Sequence, residues 1–280
     1  MNLLWLGDPK SFDAGQVGGK AANLSRLARM AHCVPDGFCI PVTVMNEAHP
    51  KDLRDEIIAA TTDLMACHNL PELVVAVRSS AVDEDGAVAS FAGQNETFLN
   101  IVGADAIIQA VTLCWESARS ERALEYRRHQ GLAINCPQLA VLVQQLVAAD
   151  VAAVAFSANP ITGNRAEIMI NASWGLGESI VGGTVTPDTF IVRKSDLALT
   201  QRVIADKQRM TVSSTHGTHE VDVPRFLRNE ASLNEEQVVE LATLVLGLEA
   251  TMGHSVDVEG AFAAGVLYLL QCRPITTLKL

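Results

Sequence analysis

Two strand-like stretches close the chain, HSVDVEGAF (254–262) and VLYLLQCRP (266–274), and their alternation restricts the fold more than any other feature. Folded back around Ala264-Gly265-Val266, they take a symmetric register that sets Glu259 opposite Gln271 and Asp257 opposite Arg273. Side chains alternate along a strand and opposed residues share a face, so all four polar groups fall on one side. Their neighbours there are Ala261, Ala263, Leu267 and Leu269, while Val258, Phe262, Tyr268, Leu270 and Cys272 form an apolar opposite face. Two carboxylates and an amide oxygen grouped in this way suit magnesium, and the guanidinium suits a phosphate. A cross-strand Asp-Arg ion pair among solvated polar residues fits the same pattern and stays open.

The 280 residues are enough for one large domain or for two lobes, and the formal net charge of -11 opposes binding to a phosphate backbone. A small ligand or a protein partner is expected instead of nucleic acid. The six cysteines are scattered without a CxxC pair, which suggests neither a zinc site nor a disulfide framework and fits a reduced, cytoplasmic protein. MNLLWLGDPK lacks the basic segment and apolar length of a signal peptide. The longest apolar region, LAVLVQQLVAADVAAVAF (139–156), is broken by Gln144, Gln145 and Asp150, so it reads as two strands and not as a membrane span. Asn95-Glu96-Thr97 and Asn171-Ala172-Ser173 match the glycosylation sequon by chance in such a setting.

Strands and helices alternate without internal repeats, which predicts an α+β or α/β fold. Gly18-Gly19-Lys20 opens a helix with Leu24, Leu27, Ala28 and Ala31 on one face. Strands are predicted at 37–41, 73–77, 96–103, 139–147, 152–157, 166–173 and 188–194, and helices at 51–67, within 104–129 and at 233–252. A glycine-rich turn, GLGESIVGG, follows the strand at 166–173, and Ser232 with Glu235 reads as the capping signal of the last helix.

Gly18-Gly19-Lys20 has the look of a phosphate-binding turn without being a Walker loop, because Ala14 and Ala21 stand where that loop needs glycine and a hydroxyl. A helix start with a surface lysine is the commoner origin of such a tripeptide. Arg78 carries more information. A guanidinium at the end of the buried run 73–77 requires an anionic partner, either a phosphate or an internal carboxylate. Ser79, Ser80, Ser90 and Gly93 supply donors and open backbone around it, and Asp83-Glu84-Asp85 is either an approach for magnesium or a solvated loop tip.

GGKAANL, VPDGF, AVRSS, ASFAGQNETFLN, VLVQQLV, SWGLGESIVGG, PDTF, VDVEG and LYLLQCRPIT occur in that order over nearly the whole chain. Together they resemble the ATP-binding domain shared by phosphoenolpyruvate synthase, pyruvate phosphate dikinase and rifampicin phosphotransferase. The resemblance implies an α+β ATP-grasp fold over 1–280, with an N-terminal and a C-terminal lobe holding MgATP. In that family the domain cleaves ATP to AMP and inorganic phosphate and passes the β-phosphoryl group to a histidine on a separate swivelling domain, toward pyruvate or another acceptor.

Carried over to this sequence, the resemblance implies that Lys20 and Arg78 bind phosphates. Gly93 and Thr97 shape the loop and strand beside the nucleotide, and Gln144 contacts it. Glu259 and Gln271 hold Mg2+, and Arg273 clamps a phosphate. Lys20, Arg78 and Arg273 are thus the expected catalytic residues. The chain departs from its relatives at Gly86-Ala87-Val88, where Leu-Pro-Asp is common, and at Gly260, where an aromatic is common and a thinner core is expected. It shows neither the histidine motif nor a pyruvate-binding barrel, and Thr215-His216-Gly217 reads as surface loop. A separate phosphohistidine-domain partner is therefore expected. The alternatives are a nucleotide-binding regulatory module without transfer chemistry and an ATP-grasp ligase or kinase that releases ADP.

Overall fold

The interrupted apolar run at 139–156 forms two strands, and they belong to two different sheets. The computed structural model describes residues 3–47, 50–82, 96–129, 138–215 and 217–275. The chain divides into two compact units, Met1–Leu146 with Thr215–Gly217, and Val147–Ser214 with Thr218–Leu280. Each layers helices on an antiparallel sheet, as the α+β expectation requires.

In the first unit β1 (Leu4–Trp5), β2 (Gly37–Ile40), β3 (Val74–Ala81), β4 (Thr97–Val102) and β5 (Leu139–Gln145) form a sheet in the order β1-β2-β5-β3-β4. Its helices are α1 (Ala14–Arg29), α2 (Val42–Glu47), α3 (Pro50–His68), α4 (Ala104–Ser117) and α5 (Glu121–His129). Ala140 and Leu142 of β5 pack with Val17, Ala21 and Leu24 of α1. On the other face Val141 and Val143 join Ile57 and Leu64 of α3 and Val111 and Cys114 of α4. A strand covered on both faces needs apolar side chains at successive positions, which is why 139–143 shows no alternation.

The second unit contains β6 (Val151–Phe156), β7 (Glu167–Trp174), α6 (Glu178–Val181), β8 (Asp188–Arg193), β9 (Leu199–Val203), β10 (Arg209–Ser213), β11 (Thr218–Asp222), α7 (Glu235–Met252), β12 (Val256–Ala263) and β13 (Val266–Pro274). The large sheet runs β13-β12-β6-β7-β8-β9, and β10 and β11 form a separate hairpin. β9 to β11 are not among the predicted strands, because most of their side chains are polar and exposed and carry little apolar period.

α7 packs across the sheet with Val238, Leu241, Ala242, Val245 and Leu248 buried. Its cap is Asn234, which forms a capping box with Gln237, and not the expected Ser232 with Glu235. Ser232 is occupied elsewhere: its N–H and its hydroxyl each donate to Asp188 Oδ2 at 2.8 Å. Asp188 Oδ1 accepts from Lys207 Nζ at 2.6 Å, and both side chains are fully buried.

The closing hairpin pairs Asp257 with Arg273 and Glu259 with Gln271, as expected, but the ladder is not symmetric. Its turn has two residues, Ala264 and Gly265, with φ of 49° and 79°. Two left-handed residues give the tight turn that matches the twist of paired strands. A bulge between Glu259 and Gly260 absorbs the difference, so Gly260 pairs with Leu269 and Ala261 with Tyr268. The expected faces are therefore exchanged over 266–269. Leu267 and Leu269 join Phe262 on the α7 face, and Tyr268 joins the polar one. The expected thinning at Gly260 is absent too, because a Cβ there would already meet Leu267 Cδ1 at 3.4 Å and Leu241 Cδ1 at 3.7 Å.

Candidate nucleotide-binding residues in the two units

Asp13 caps α1 by accepting from the Gly15 N–H at 2.9 Å, and the helix then breaks at Gly18, whose φ and ψ are 75° and 167°. A Cβ at Gly18 would lie 2.1 Å from the Ser80 carbonyl oxygen, so only glycine lets the helix approach the end of β3 this closely. Where the helix resumes, the Ala21 N–H donates to Ser80 Oγ at 3.1 Å, and Lys20 Nζ donates to the Ser79 carbonyl at 2.9 Å. Lys20 is only 5 % exposed, so its ammonium is a buried charge at the strand end and not the surface lysine of the alternative reading. Its field also reaches Cys114, whose thiol burial pushes up to about 12 while the Lys20 charge pulls the other way.

Arg78 precedes these two serines on β3. It pairs with Thr97 of β4 and Leu142 of β5, and Leu142 lies in the cluster beneath α1. Directly opposed residues share a face, so Arg78 and Thr97 are on the α1 side of the sheet together with the Ser80 side chain. Gln144 faces the same way, paired with Ala76 one step along the strand. Its amide nitrogen donates to the Pro35 carbonyl at 3.0 Å and the side chain is nearly fully buried. Four of the expected residues thus gather on one face of one sheet. Gly93 and the Asp83-Glu84-Asp85 run lie outside the described residues. What the sequence did not reveal is the role of Ser80, whose hydroxyl caps the resumed helix.

In the second unit Glu259 faces Gln271 directly, and both lie on the sheet face turned away from α7. Arg273 donates from Nε and Nη2 to Asp257 Oδ2 at 2.9 and 2.8 Å, so the cross-strand ion pair left open by the sequence is formed. Among the described residues Asp257 Oδ1 is buried without a hydrogen-bond partner. Burial pushes the Asp257 carboxyl above its ordinary range, Arg273 opposes this, and the Glu259 charge adds to the rise.

These groups fit a magnesium ion. Three oxygen-bearing side chains occupy successive positions of one strand pair, and a buried carboxylate oxygen among them has no donor among the described residues. Among the described residues no group of three or more His, Cys, Asp and Glu is arranged for a metal. Magnesium characteristically takes one or two carboxylates and completes its shell with phosphate and water, so a sparse protein donor set suits it.

The sequence family described as pyruvate phosphate dikinase, AMP/ATP-binding domain, matches residues 42–280. The chain belongs to this family. A probable phosphoenolpyruvate synthase of Methanocaldococcus jannaschii is 45 % identical over 231 residues, covering 82 % of this chain and 19 % of that protein. One from Archaeoglobus fulgidus is 35 % identical over 318 residues and covers all of this chain and 42 % of its own length. A rifampicin phosphotransferase of a Streptomyces species is 34 % identical over 311 residues, covering 98 % of this chain and 36 % of that protein. The chain thus spans a minor part of the curated relatives it matches. Among solved structures, a D-alanine–D-alanine ligase from Bacillus anthracis aligns over 98 % of this chain and 60 % of its own at 9 % identity and a TM-score of 0.41. The AMP/ATP-binding domain match begins after Gly18-Gly19-Lys20, whereas the Archaeoglobus relative covers that turn as well. Among the described residues no helix is long and apolar enough to cross a membrane.

Proposed function

We propose that this chain is the ATP-grasp component of a dikinase-type phosphotransferase. It binds MgATP, cleaves it to AMP and inorganic phosphate, and passes the β-phosphoryl group to a histidine on a separate partner domain. Each turn consumes one ATP, one histidine and one water, the water taking the γ-phosphoryl group. The histidine then delivers its phosphoryl group to pyruvate or another small acceptor, and the setting is cytoplasmic. The observation that carries this reading is the direct opposition of Glu259 and Gln271 in a chain of this family.

In this reading Glu259 and Gln271 hold magnesium, which when bound neutralises charge on phosphoryl oxygens. Lys20 and Arg78 place fixed positive charge at the end of β3, Thr97 and Gly93 shape the nucleotide's surroundings, and Gln144 packs against its base side. Arg273 orients Asp257 through its two hydrogen bonds and clamps a phosphate. Such transfer depends chiefly on positioning and electrostatics, so prearranged charges are the protein's main contribution.

The test is to incubate the chain with ATP labelled at the β position, with and without a histidine-domain protein of this family, and to identify the nucleotide product and the labelled polypeptide. AMP with label on the partner's histidine is the expected outcome. ADP formed rapidly by the chain alone would establish a ligase or kinase instead, and binding without turnover under both conditions would establish a regulatory module.

A further inference from the structure

The β12–β13 pair is part of a row that continues across the second unit's sheet. Gln271 opposes Glu259, Glu259 opposes Val154, Val154 opposes Asn171, and Asn171 opposes Thr189. Opposed residues share a face, so Asn171 lies on the face of Glu259, two strands away. At about 4.8 Å per strand that separation is about 10 Å, with a valine between them that has nothing polar to offer. Asn171 itself is half-buried in an interior strand, with Ala172 and Ser173 of the same sequon fully buried, so this motif is not open to glycosylation in the folded chain.

The orientation of the Asn171 amide is set by its outer neighbour. Thr189 Oγ1 donates to Asn171 Oδ1 at 3.0 Å. Thr189 belongs to β8, the strand beyond β7 as seen from β12. With its oxygen drawn toward β8, the planar amide turns its nitrogen the other way, toward β6 and the strand carrying Glu259. An N–H donor aimed at the metal-binding pair is matched to an anion held there. A magnesium–oxygen bond of about 2.1 Å, a phosphoryl group and an N–H···O bond of about 2.9 Å together bridge most of the gap.

We propose that Asn171 is a further nucleotide-binding residue, donating from Nδ2 to a terminal phosphoryl oxygen of MgATP, and that Thr189 is the positioning residue that turns the amide. This rests on the MgATP reading above.

The test measures MgATP and AMP binding calorimetrically to the full chain and to Asn171→Ala, Asn171→Asp and Thr189→Val, after unliganded melting has shown each variant folded. Loss of one hydrogen bond to a charged group should weaken MgATP about tenfold in Asn171→Ala and leave AMP unaffected. Asn171→Asp should lose more, since it sets a carboxylate against a phosphate, and Thr189→Val should lose a few-fold through misorientation alone. Unchanged MgATP affinity in Asn171→Ala, equal weakening of MgATP and AMP, or Asn171→Asp binding as well as the parent would each overturn the proposal. If the parent chain itself binds no MgATP, the underlying reading fails, and that result is distinct from all of these. Should Asn171→Ala not fold, Thr189→Val and Asn171→Asp decide the matter.

Discussion

Glu259 and Gln271 oppose each other directly, although every pair between them and the turn runs one residue out of step with theirs. The bulge makes up the count, with Leu270 as the extra residue of β13. Deleting Leu270 should therefore give a regular ladder in which Gln271 still faces Glu259. Inserting one residue between Leu269 and Leu270, with the one-residue bulge kept, should instead set Gln271 opposite Val258 and turn it toward α7, because a shift of one residue reverses every side chain. MgATP-dependent melting shifts are expected to survive the deletion and to vanish with the insertion. Loss of the shift in the deletion variant, with a folded protein, would show that the bulge itself shapes the site.

The same pair should separate function from folding. Glu259→Gln and Gln271→Ala leave the α7 face intact, so the unliganded melting temperature should change little, within about 1 kcal/mol of stability. Magnesium-dependent nucleotide binding should fall by at least tenfold in each. A large loss of stability with binding preserved would mark the pair as structural.

Asp188 and Lys207 raise a different question, since both are fully buried and joined at 2.6 Å. Removing one member of such a pair leaves an uncompensated buried charge, so Lys207→Met should cost about 3–5 kcal/mol. The double variant with Asp188→Asn should recover only part of that, because neither charge then remains, but the single amide oxygen can serve either the Ser232 donors or the Ala205 N–H and not both. Denaturant titration of the three variants measures both effects. A single-variant cost no greater than that of Arg193→Ala, at an exposed ion pair, would contradict the account.

What was legible in the sequence followed from short-range period. The polar alternation of 257–259 and 271–273 places four side chains on one face, and the apolar run before Arg78 marks a buried strand ending on a charge. The parity of Leu267 and Leu269 was not legible, because a two-residue turn and a bulge differ from a three-residue turn only in backbone conformation. Nor was the true cap of α7. Ser232 has the capping residue type, but its hydroxyl is taken by Asp188, a partner 44 positions away in the chain. Asn171 was visible only as a sequon; its place in line with Glu259 depends on the order of four strands.

Thiol reactivity reports the packing around Lys20 independently of any ligand. Cys114 is buried and its thiol is pushed up to about 12, and Cys39 is pushed higher still by burial alone. The thiolate is the nucleophile, so neither should react with iodoacetamide near pH 8 in the folded chain. Among the described thiols, exposed Cys67 should react first, and Cys33, raised by partial burial and the Asp36 charge, more slowly. Peptide mapping of alkylated sites over time checks the order. Fast labelling of Cys114 in the native protein would show that the core between α4 and the sheet is open.

Lys20 combines a structural bond with the proposed phosphate contact, and two substitutions separate them. Lys20→Met keeps the side-chain stem but leaves the Ser79 carbonyl without this donor, at a cost of about 1–3 kcal/mol if nothing replaces it. It also removes the positive charge, so MgATP binding should fall well beyond the fraction of protein that unfolds. Gly18→Ala acts earlier in the chain of causes. The added methyl meets the Ser80 carbonyl at 2.1 Å, and its φ of 75° is strained for any other residue, so the helix must retreat from the end of β3. That retreat carries Lys20 away from Ser79 and deprives the Ala21 N–H of its Ser80 acceptor. Gly18→Ala is therefore expected to lower stability more than Lys20→Met and to weaken MgATP at least as much, even though it removes no charge. Melting curves with and without MgATP for both variants check this ordering, and full MgATP affinity in a folded Gly18→Ala protein would show that the kink does not position Lys20.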